Sequence, residues 1–277
     1  MNTVTATHFD RTIAVSPAGS TPVDGTVVGS TLEFTADFDP SWASLVGMHG
    51  GATAAHVVLA AQLAAPDRHV RTVAASFLRP GTIGPAAITV EVLRHGRSLT
   101  TLVGRVRQQD RTTAQVTVTL TPGGERGEWS APVGTGVARP APLAECVEFT
   151  PPPGIRHFEQ ARLLLDPAAI PGEGIDDARV AGHVQPIEPR PIDAAWLTTI
   201  GDWFPPAPFR RLTPPVGGIS IDYTLHVHRT LPTDPDRWLE GVFDARELRD
   251  GIALEHGWLA TPDGVPVAET FHTRWVG

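Results

Sequence analysis

The chain has 277 residues, 41% of them hydrophobic and 19% charged, with a formal net charge of −8. That is material for two modest cores in a folded soluble protein, and a negative balance without any basic run disfavours nucleic-acid binding, which depends on clustered cations. All 22 basic residues are Arg; without a lysine amine, Schiff-base and pyridoxal chemistry and a Walker-type phosphate loop are excluded.

Cys146 is the single cysteine, which rules out an internal disulfide and a zinc site on paired thiolates. Met1 to Ile13 lacks the basic and apolar regions of a signal peptide, and no run of about 18 apolar residues occurs. A cytoplasmic protein without membrane attachment, cofactor or metal is expected. Neither a Gly-x-Ser-x-Gly elbow nor a Gly-x-Gly-x-x-Gly turn is present, which argues against an α/β-hydrolase or a nucleotide-binding fold.

In chain order, one pattern occurs twice. Thr31 to Ala36 reads as a strand. His49, Gly50 and Gly51 then open an Ala-, Val- and Leu-rich stretch, Ala52 to Leu63, that predicts a buried helix. Four strand-like runs follow, Val70 to Leu78, Ala86 to Leu93, Ser98 to Gln108 and Thr112 to Leu120, separated by Arg79-Pro80-Gly81, His95-Gly96-Arg97 and Gln109-Asp110-Arg111. Thr121 to Arg156, rich in Pro and Gly and ending in three consecutive prolines at 151 to 153, reads as a linker lying along the surface. The second copy has strand-like Phe158 to Leu165 and Ala178 to Val184, a helix over Ile192 to Phe204 stopped by Pro205-Pro206, and strands Ile219 to Val227, Leu239 to Ala245, Ile252 to Ala260 and Val265 to Val276. Asp250-Gly251 and Asp263-Gly264 are hairpin turns. One helix beside a meander of hairpins predicts an antiparallel sheet laid over that helix, because neither buries its apolar face alone. The expectation is an α+β protein with an N-terminal unit at 1–121, a linker at 122–156 and a C-terminal unit at 157–277.

Particular residues carry a family resemblance. Met48-His49-Gly50-Gly51 entering a helix, Ser76-Phe77-Leu78-Arg79-Pro80-Gly81, the Gly84-Pro85 turn and Leu93-Arg94-His95-Gly96-Arg97-Ser98 resemble the first domain of the acyl-CoA thioesterase II family. Asp202 after an apolar helix, Ser220-Ile221-Asp222 opening a strand, and Gly264-Val265-Pro266-Val267-Ala268-Glu269 before the last strand resemble its second domain. The resemblance covers nearly the whole chain. It implies a double hotdog, two antiparallel sheets each wrapped around a long central helix and joined edge to edge, that hydrolyses acyl-CoA thioesters without a covalent intermediate. It also implies that two such chains associate as a dimer of double hotdogs.

In that family an Asp, a Thr or Ser, and a Gln hold the attacking water. Carried over residue by residue, these fall on Asp202, Ser220 and His272; the imidazole of His272 in the Gln position is the main departure. It leaves open either hydrolysis with an altered pH dependence or a pocket kept only for binding. A thioester carbonyl is already electrophilic, so a positioned water, a carboxylate to orient it and donors for the oxyanion suffice. The N–H groups near Gly50 and Gly51 at the helix start are candidate oxyanion donors, with His49 at the substrate entrance. Arg79 and Arg97 are cations within reach of CoA phosphates, or solvated turn residues. Trp196, Trp203 and Phe204 suggest a partly filled pocket suited to short, medium or aromatic acyl groups.

Three other readings stand beside this one. The scaffold serves as a non-hydrolytic binder or acyl-transfer accessory for thioesters of CoA or acyl carrier protein; it is a hotdog hydratase, which would call for a neighbouring Asp and His that the sequence does not offer; or Asp222, His226 and His228, on one parity of a strand, hold a metal.

Overall fold

The computed structural model describes residues 6–18, 26–123, 130–131, 138–172, 177–212 and 217–277. In chain order the elements are α1 (His8–Thr12), β1 (Val15–Pro17), β2 (Thr31–Phe38), β3 (Ala43–Ser44), β4 (Gly47–Met48), α2 (Gly50–Ala64), β5 (Arg68–Phe77), β6 (Gly84–His95), β7 (Thr100–Gln108) and β8 (Arg111–Pro122). The second half continues with β9 (Val147–Glu148), β10 (Ala161–Leu165), β11 (Arg179–Pro186), α3 (Ala194–Ile200), β12 (Gly218–Val227), β13 (Leu239–Arg249), β14 (Ile252–Ala260) and β15 (Pro266–Val276).

Thirteen strands form one antiparallel sheet in the order β1-β2-β6-β7-β8-β5-β12-β15-β14-β13-β11-β10-β9, and β3 and β4 make a separate short hairpin. The order is a mirror about its centre. β2-β6-β7-β8-β5 on one side answers β11-β13-β14-β15-β12 on the other, which is the internal duplication written in strand pairing. The two halves meet where β5 and β12 pair antiparallel from Asp222 opposite Ser76 to His226 opposite Thr72. The expected edge-to-edge join is the β5–β12 pairing, and it makes one continuous sheet where two were expected; the expectation of a long helix in each half is corrected, because α3 has only seven residues. The strand edges that would have ended two sheets satisfy each other's N–H and C=O groups instead, giving one continuous sheet.

The helices differ between the halves. α2 contains no Pro and no Gly beyond its first turn, and its residues are buried almost all round, as an apolar helix must be. It packs so closely on β7 that a Cβ built on Gly104 would lie 2.1 Å from Val57 Cγ1. α3 is only seven residues long, against the predicted span Ile192 to Phe204. Ile192 pairs with Leu231 as an isolated bridge. Beyond Ile200 the chain turns at Gly201, where a Cβ would lie 2.2 Å from the Tyr223 hydroxyl, and Pro205, Pro206 and Pro208 cannot continue a helix. All seven α3 residues are buried.

Other departures are smaller. His157–Gln160 form a 3₁₀ turn, so the strand predicted from Phe158 starts at Ala161. The linker is not simply a surface tie: Val147–Glu148 pair with β10, and Arg139 binds Glu240 through Nε at 2.8 Å and Nη2 at 2.6 Å. Gly124, Gly127 and Pro132 of the predicted linker lie outside the described residues. The N-terminal α1, unforeseen in the sequence, reaches the second half. Arg190 donates to Asp10 at 2.6 Å and lies 4.0 Å from the centre of the Phe9 ring. One hydrophobic cluster runs through both halves. No helix among the described residues is long and apolar enough to cross a membrane.

The Gly104 contact yields a test. Gly104→Ala forces the methyl into Val57 and is expected to lower unfolding stability by about 1–3 kcal/mol. The Val57→Ala change should partly relieve it, so urea unfolding of both single variants and the double variant should give a favourable coupling energy.

Candidate active site

The contact between α2 and α3 builds the site. Gly51 at the start of α2 faces the end of α3, where a Cβ would lie 2.7 Å from the Thr199 carbonyl oxygen. Only a residue without a side chain permits this approach, and it brings the turn after α3 against the first turn of α2. Asp202, in that turn, thereby reaches across the halves. Its Oδ2 accepts the Gly51 N–H at 3.0 Å, and its Oδ1 accepts the Ser220 hydroxyl at 2.8 Å.

Ser220 is aimed by a bulge. Along β12 the buried positions are Tyr223, Leu225 and Val227, so strict alternation would turn Ser220 outward with Asp222. The register slips between Ser220 and Asp222, where Ser220 opposes Arg274 and Asp222 opposes Thr273 of β15. The extra residue, Ile221, rotates Ser220 onto the inner face.

His49 caps α2. Its Nδ1 accepts the Ala52 N–H at 3.2 Å, which leaves the proton on Nε2, and Nε2 donates to the Asp202 main-chain carbonyl at 3.0 Å. Its ring stacks on His157 at 4.4 Å and meets the edge of Trp203. Burial keeps His49 neutral, lowering its pKa against the pull of Asp202. His157 is lowered to about 2, by burial and by neighbouring His49. Two first-turn amides of α2 are thus spent inside the protein, Gly51 on Asp202 and Ala52 on His49. The expected pair of oxyanion donors reduces to Gly50, whose N–H has no partner among the described residues. Gly50 is also as close as a residue can come to the carboxylate, since a Cβ there would sit 2.8 Å from Asp202 Oδ2.

His272 lies behind Asp202. Its side chain is wholly buried, stacked on Tyr223 with centroids 4.7 Å apart. Nε2 is 3.4 Å from Asp202 Oδ1 and Nδ1 is 3.5 Å from Glu255 Oε1. These are long contacts, and neither ring nitrogen completes a well-formed hydrogen bond. Burial and the Arg274 cation push its pKa down, against the raising effect of Asp202 and Glu255, so the ring is neutral near pH 7.

The sequence reading missed Arg274 and Glu255. Arg274, two residues beyond His272 and on the same inward parity of β15, donates Nη1–H to Ser220 Oγ at 2.9 Å, and the same nitrogen lies 3.4 Å from Asp202 Oδ1. Its Nε donates to Glu255 Oε1 at 2.9 Å. Glu255 is anchored in turn by the Ala207 N–H at 2.7 Å. The inward parity of both positions was legible; a buried charge at such a position is a signal in itself. Burial opposes the charge on Asp202, but His272, the Arg274 cation and His49 outweigh it and hold the carboxyl well below its ordinary range.

Asp202, Ser220, Arg274, His49 and Gly50 line a cavity of about 660 Å³, whose wall is otherwise mostly apolar. It draws on both halves and on the described part of the linker. Met48 and Phe77 come from the first, Trp203, Phe204 and Phe209 from the second, and Phe149, Ile155 and Phe158 from the stretch before β10. Gly51 and His272 do not line it. Arg79 does, at Phe77-Leu78-Arg79, and donates to the Thr112 carbonyl at 3.2 Å. Trp203 packs against His49 and His157, and Trp196 is buried away from the cavity.

Elsewhere, His228 Nε2 is 3.5 Å from Glu269, and His226 lies edge-on to Phe271. Among the described residues no group of three His, Cys, Asp or Glu is placed to hold a metal. The Cys146 thiol is pushed up to about 11 by burial and by Asp166, Glu145 and Glu240, which leaves almost no thiolate at neutral pH.

Residues 38–121 match the model of the acyl-CoA thioesterase N-terminal domain, and residues 132–276 match that of the acyl-CoA thioesterase C-terminal domain. A search of curated proteins finds no match. Among solved structures, a conserved protein of unknown function with a hot dog fold from Alicyclobacillus acidocaldarius is 24% identical over 98% of each chain, with a TM-score of 0.80. A candidate thioesterase II from Thermobifida fusca YX is 20% identical over 99% of each chain, at 0.82. The acyl-CoA thioesterase II TesB2 from Mycobacterium marinum is 19% identical over 88% of this chain and 91% of that one, at 0.68. At these identities the structural likeness establishes the hot dog fold. The two family models, matched in order over most of the chain, establish the rest: the chain belongs to the acyl-CoA thioesterase family and is a thioester hydrolase.

Proposed function

We propose that the protein hydrolyses acyl-CoA thioesters to free acid and CoA with a water held by Asp202 and Ser220, and without a covalent intermediate. The observation that carries this reading is an ionised carboxylate and a hydroxyl side by side on the wall of a mostly apolar cavity. The water donates to Asp202 and Ser220 and turns a lone pair to the thioester carbonyl. Its oxygen bonds to the carbonyl carbon, one proton passes to Asp202, the C–S bond breaks and that proton goes to the departing thiolate. Negative charge forming on the carbonyl oxygen calls for donors, and the unpartnered Gly50 N–H on the cavity wall is suited to that. Asp202 is a weak base in its resting state, but a water under attack on carbon grows acidic as the new bond forms.

The same reading takes 1–121 and 157–277 as two hotdog units joined by 122–156, a division supported by the mirrored strand order. It takes acyl-CoA, or an acyl carrier protein thioester, as substrate, and a dimer of double hotdogs as the assembly.

Thiol release from a panel of acyl-CoAs tests the chemistry. Asp202→Asn should lower kcat/KM about 10²- to 10⁴-fold while circular dichroism stays native. Absence of thiol release from every substrate by the native chain would instead favour the non-hydrolytic binding reading.

The pH dependence follows from the neutral rings and the depressed carboxyl. Activity requires ionised Asp202, so it is lost as pH falls through the Asp202 pKa, which lies below the ordinary aspartate value of 3.8. With the pKa values of His49 and His272 both lowered by burial, the rings are neutral at and above pH 7, and kcat should stay level from pH 8 down to the ordinary histidine value of about 6.5. A kcat transition near pH 6.5, abolished by His272→Gln, would contradict this.

A further inference from the structure

We propose that Arg274, held by Glu255, is a positioning residue for hydrolysis that fixes the direction of the Ser220 hydroxyl and keeps Asp202 charged. This inference rests on the hydrolytic reading above and adds a residue pair that the family resemblance did not carry over.

The argument is one of hydrogen-bond direction. A guanidinium has only donors, so at the 2.9 Å contact Arg274 Nη1 donates and Ser220 Oγ accepts. The hydroxyl proton must then point elsewhere, and Asp202 Oδ1 at 2.8 Å accepts it. The chain Arg274 to Ser220 to Asp202 therefore runs one way. Ser220 has no proton left to offer, and its remaining lone pair can only accept from a ligand. A water at that place meets acceptors on Asp202 and Ser220, donates both its protons to them, and has a lone pair free for carbon. Without Arg274 the hydroxyl could turn and donate to the water, occupying the lone pair that attack needs. His272 does not supply this function, being long in its contacts and outside the cavity.

Glu255 makes the arrangement stable. A lone buried guanidinium beside a single carboxylate would swing into a bidentate pair with it; Glu255, itself fixed by the Ala207 N–H, holds the Nε edge and leaves Nη1 for Ser220. The groups facing Asp202 come from every element around it: His49 before α2, His157 in the 3₁₀ turn, Tyr223 on β12, Glu255 on β14, and His272 and Arg274 on β15. With the histidines neutral and Tyr223 pushed well above its ordinary value by burial, Arg274 is the one fixed cation among them.

The experiment compares pH profiles of thiol release. In Arg274→Gln/Glu255→Gln, which removes one charge of each sign, Asp202 loses its cation, and the acid limb of kcat should move up by about 1–3 pH units. Arg274→Lys keeps the charge but not the fork; its limb should stay put while kcat falls at least tenfold at unchanged KM. A merely structural role would move neither. A double variant with native kcat and an unmoved limb overturns the proposal. Should the double variant fail to fold, Arg274→Lys with native kcat does so. Asp202→Asn, run in parallel, separates the two readings: if it retains hydrolysis, the Asp202 mechanism fails; if it is dead while the Arg274 variants are native, only this inference fails.

Discussion

The Asp202 carboxylate is the group on which the site and the join between the halves both depend. It is buried, and a buried charge is tolerable only when paired and hydrogen-bonded. Its partners come from three elements: the Gly51 N–H and, through the main-chain carbonyl, the His49 ring at the start of α2, the Ser220 hydroxyl on β12 and the Arg274 guanidinium on β15. Satisfying this one group therefore fixes where the first half's helix stands relative to the second half's sheet. The glycine at 51 is part of the same constraint, because any side chain there would strike the Thr199 carbonyl and move the donor away.

A second consequence concerns charge. Asp202 and Glu255 are both buried, and Arg274 sits between them. With the neighbouring imidazoles neutral, the cluster carries one excess negative charge at neutral pH. Protonating His49 or His272 would balance it, yet burial lowers both, with Arg274 adding to the effect. The low-dielectric surroundings penalise any further ion more than one unpaired charge rewards it, and of the two carboxylates it is Asp202 that lines the cavity. For a reaction that takes protons from water this is the useful place for it.

Much of the fold was legible because it rests on local chemistry. Strand ends came from turn dipeptides: Asp250 and Gly251 both have positive φ, as do Gln109 and Asp110, where the hairpins reverse. The length of α2 came from a run free of helix breakers. What the sequence concealed depends on distant partners. The end of α3 is set by Gly201 lying under Tyr223, a contact twenty-two residues away in sequence. The inward turn of Ser220 depends on a bulge at Ile221 that alternation alone argues against. Arg274 and Glu255 were visible as charges on inward parity, but their meaning came only when both met at Asp202.

The linker shows the same dependence on long-range contacts. Its prolines mark it as extended, and a surface course was the natural reading. Phe149 and Ile155, however, are large apolar residues in that stretch, both partly buried, and exposing them fully would leave their area in water. The cavity lined by both halves offers them a wall, with the Asp202 carboxylate at the junction of α2 and the turn after α3. The linker residues Phe149, Pro152 and Ile155 line the same cavity as Asp202 and His157 and form part of its wall. The connection between the halves is thus also part of the container in which a thioester would meet its water.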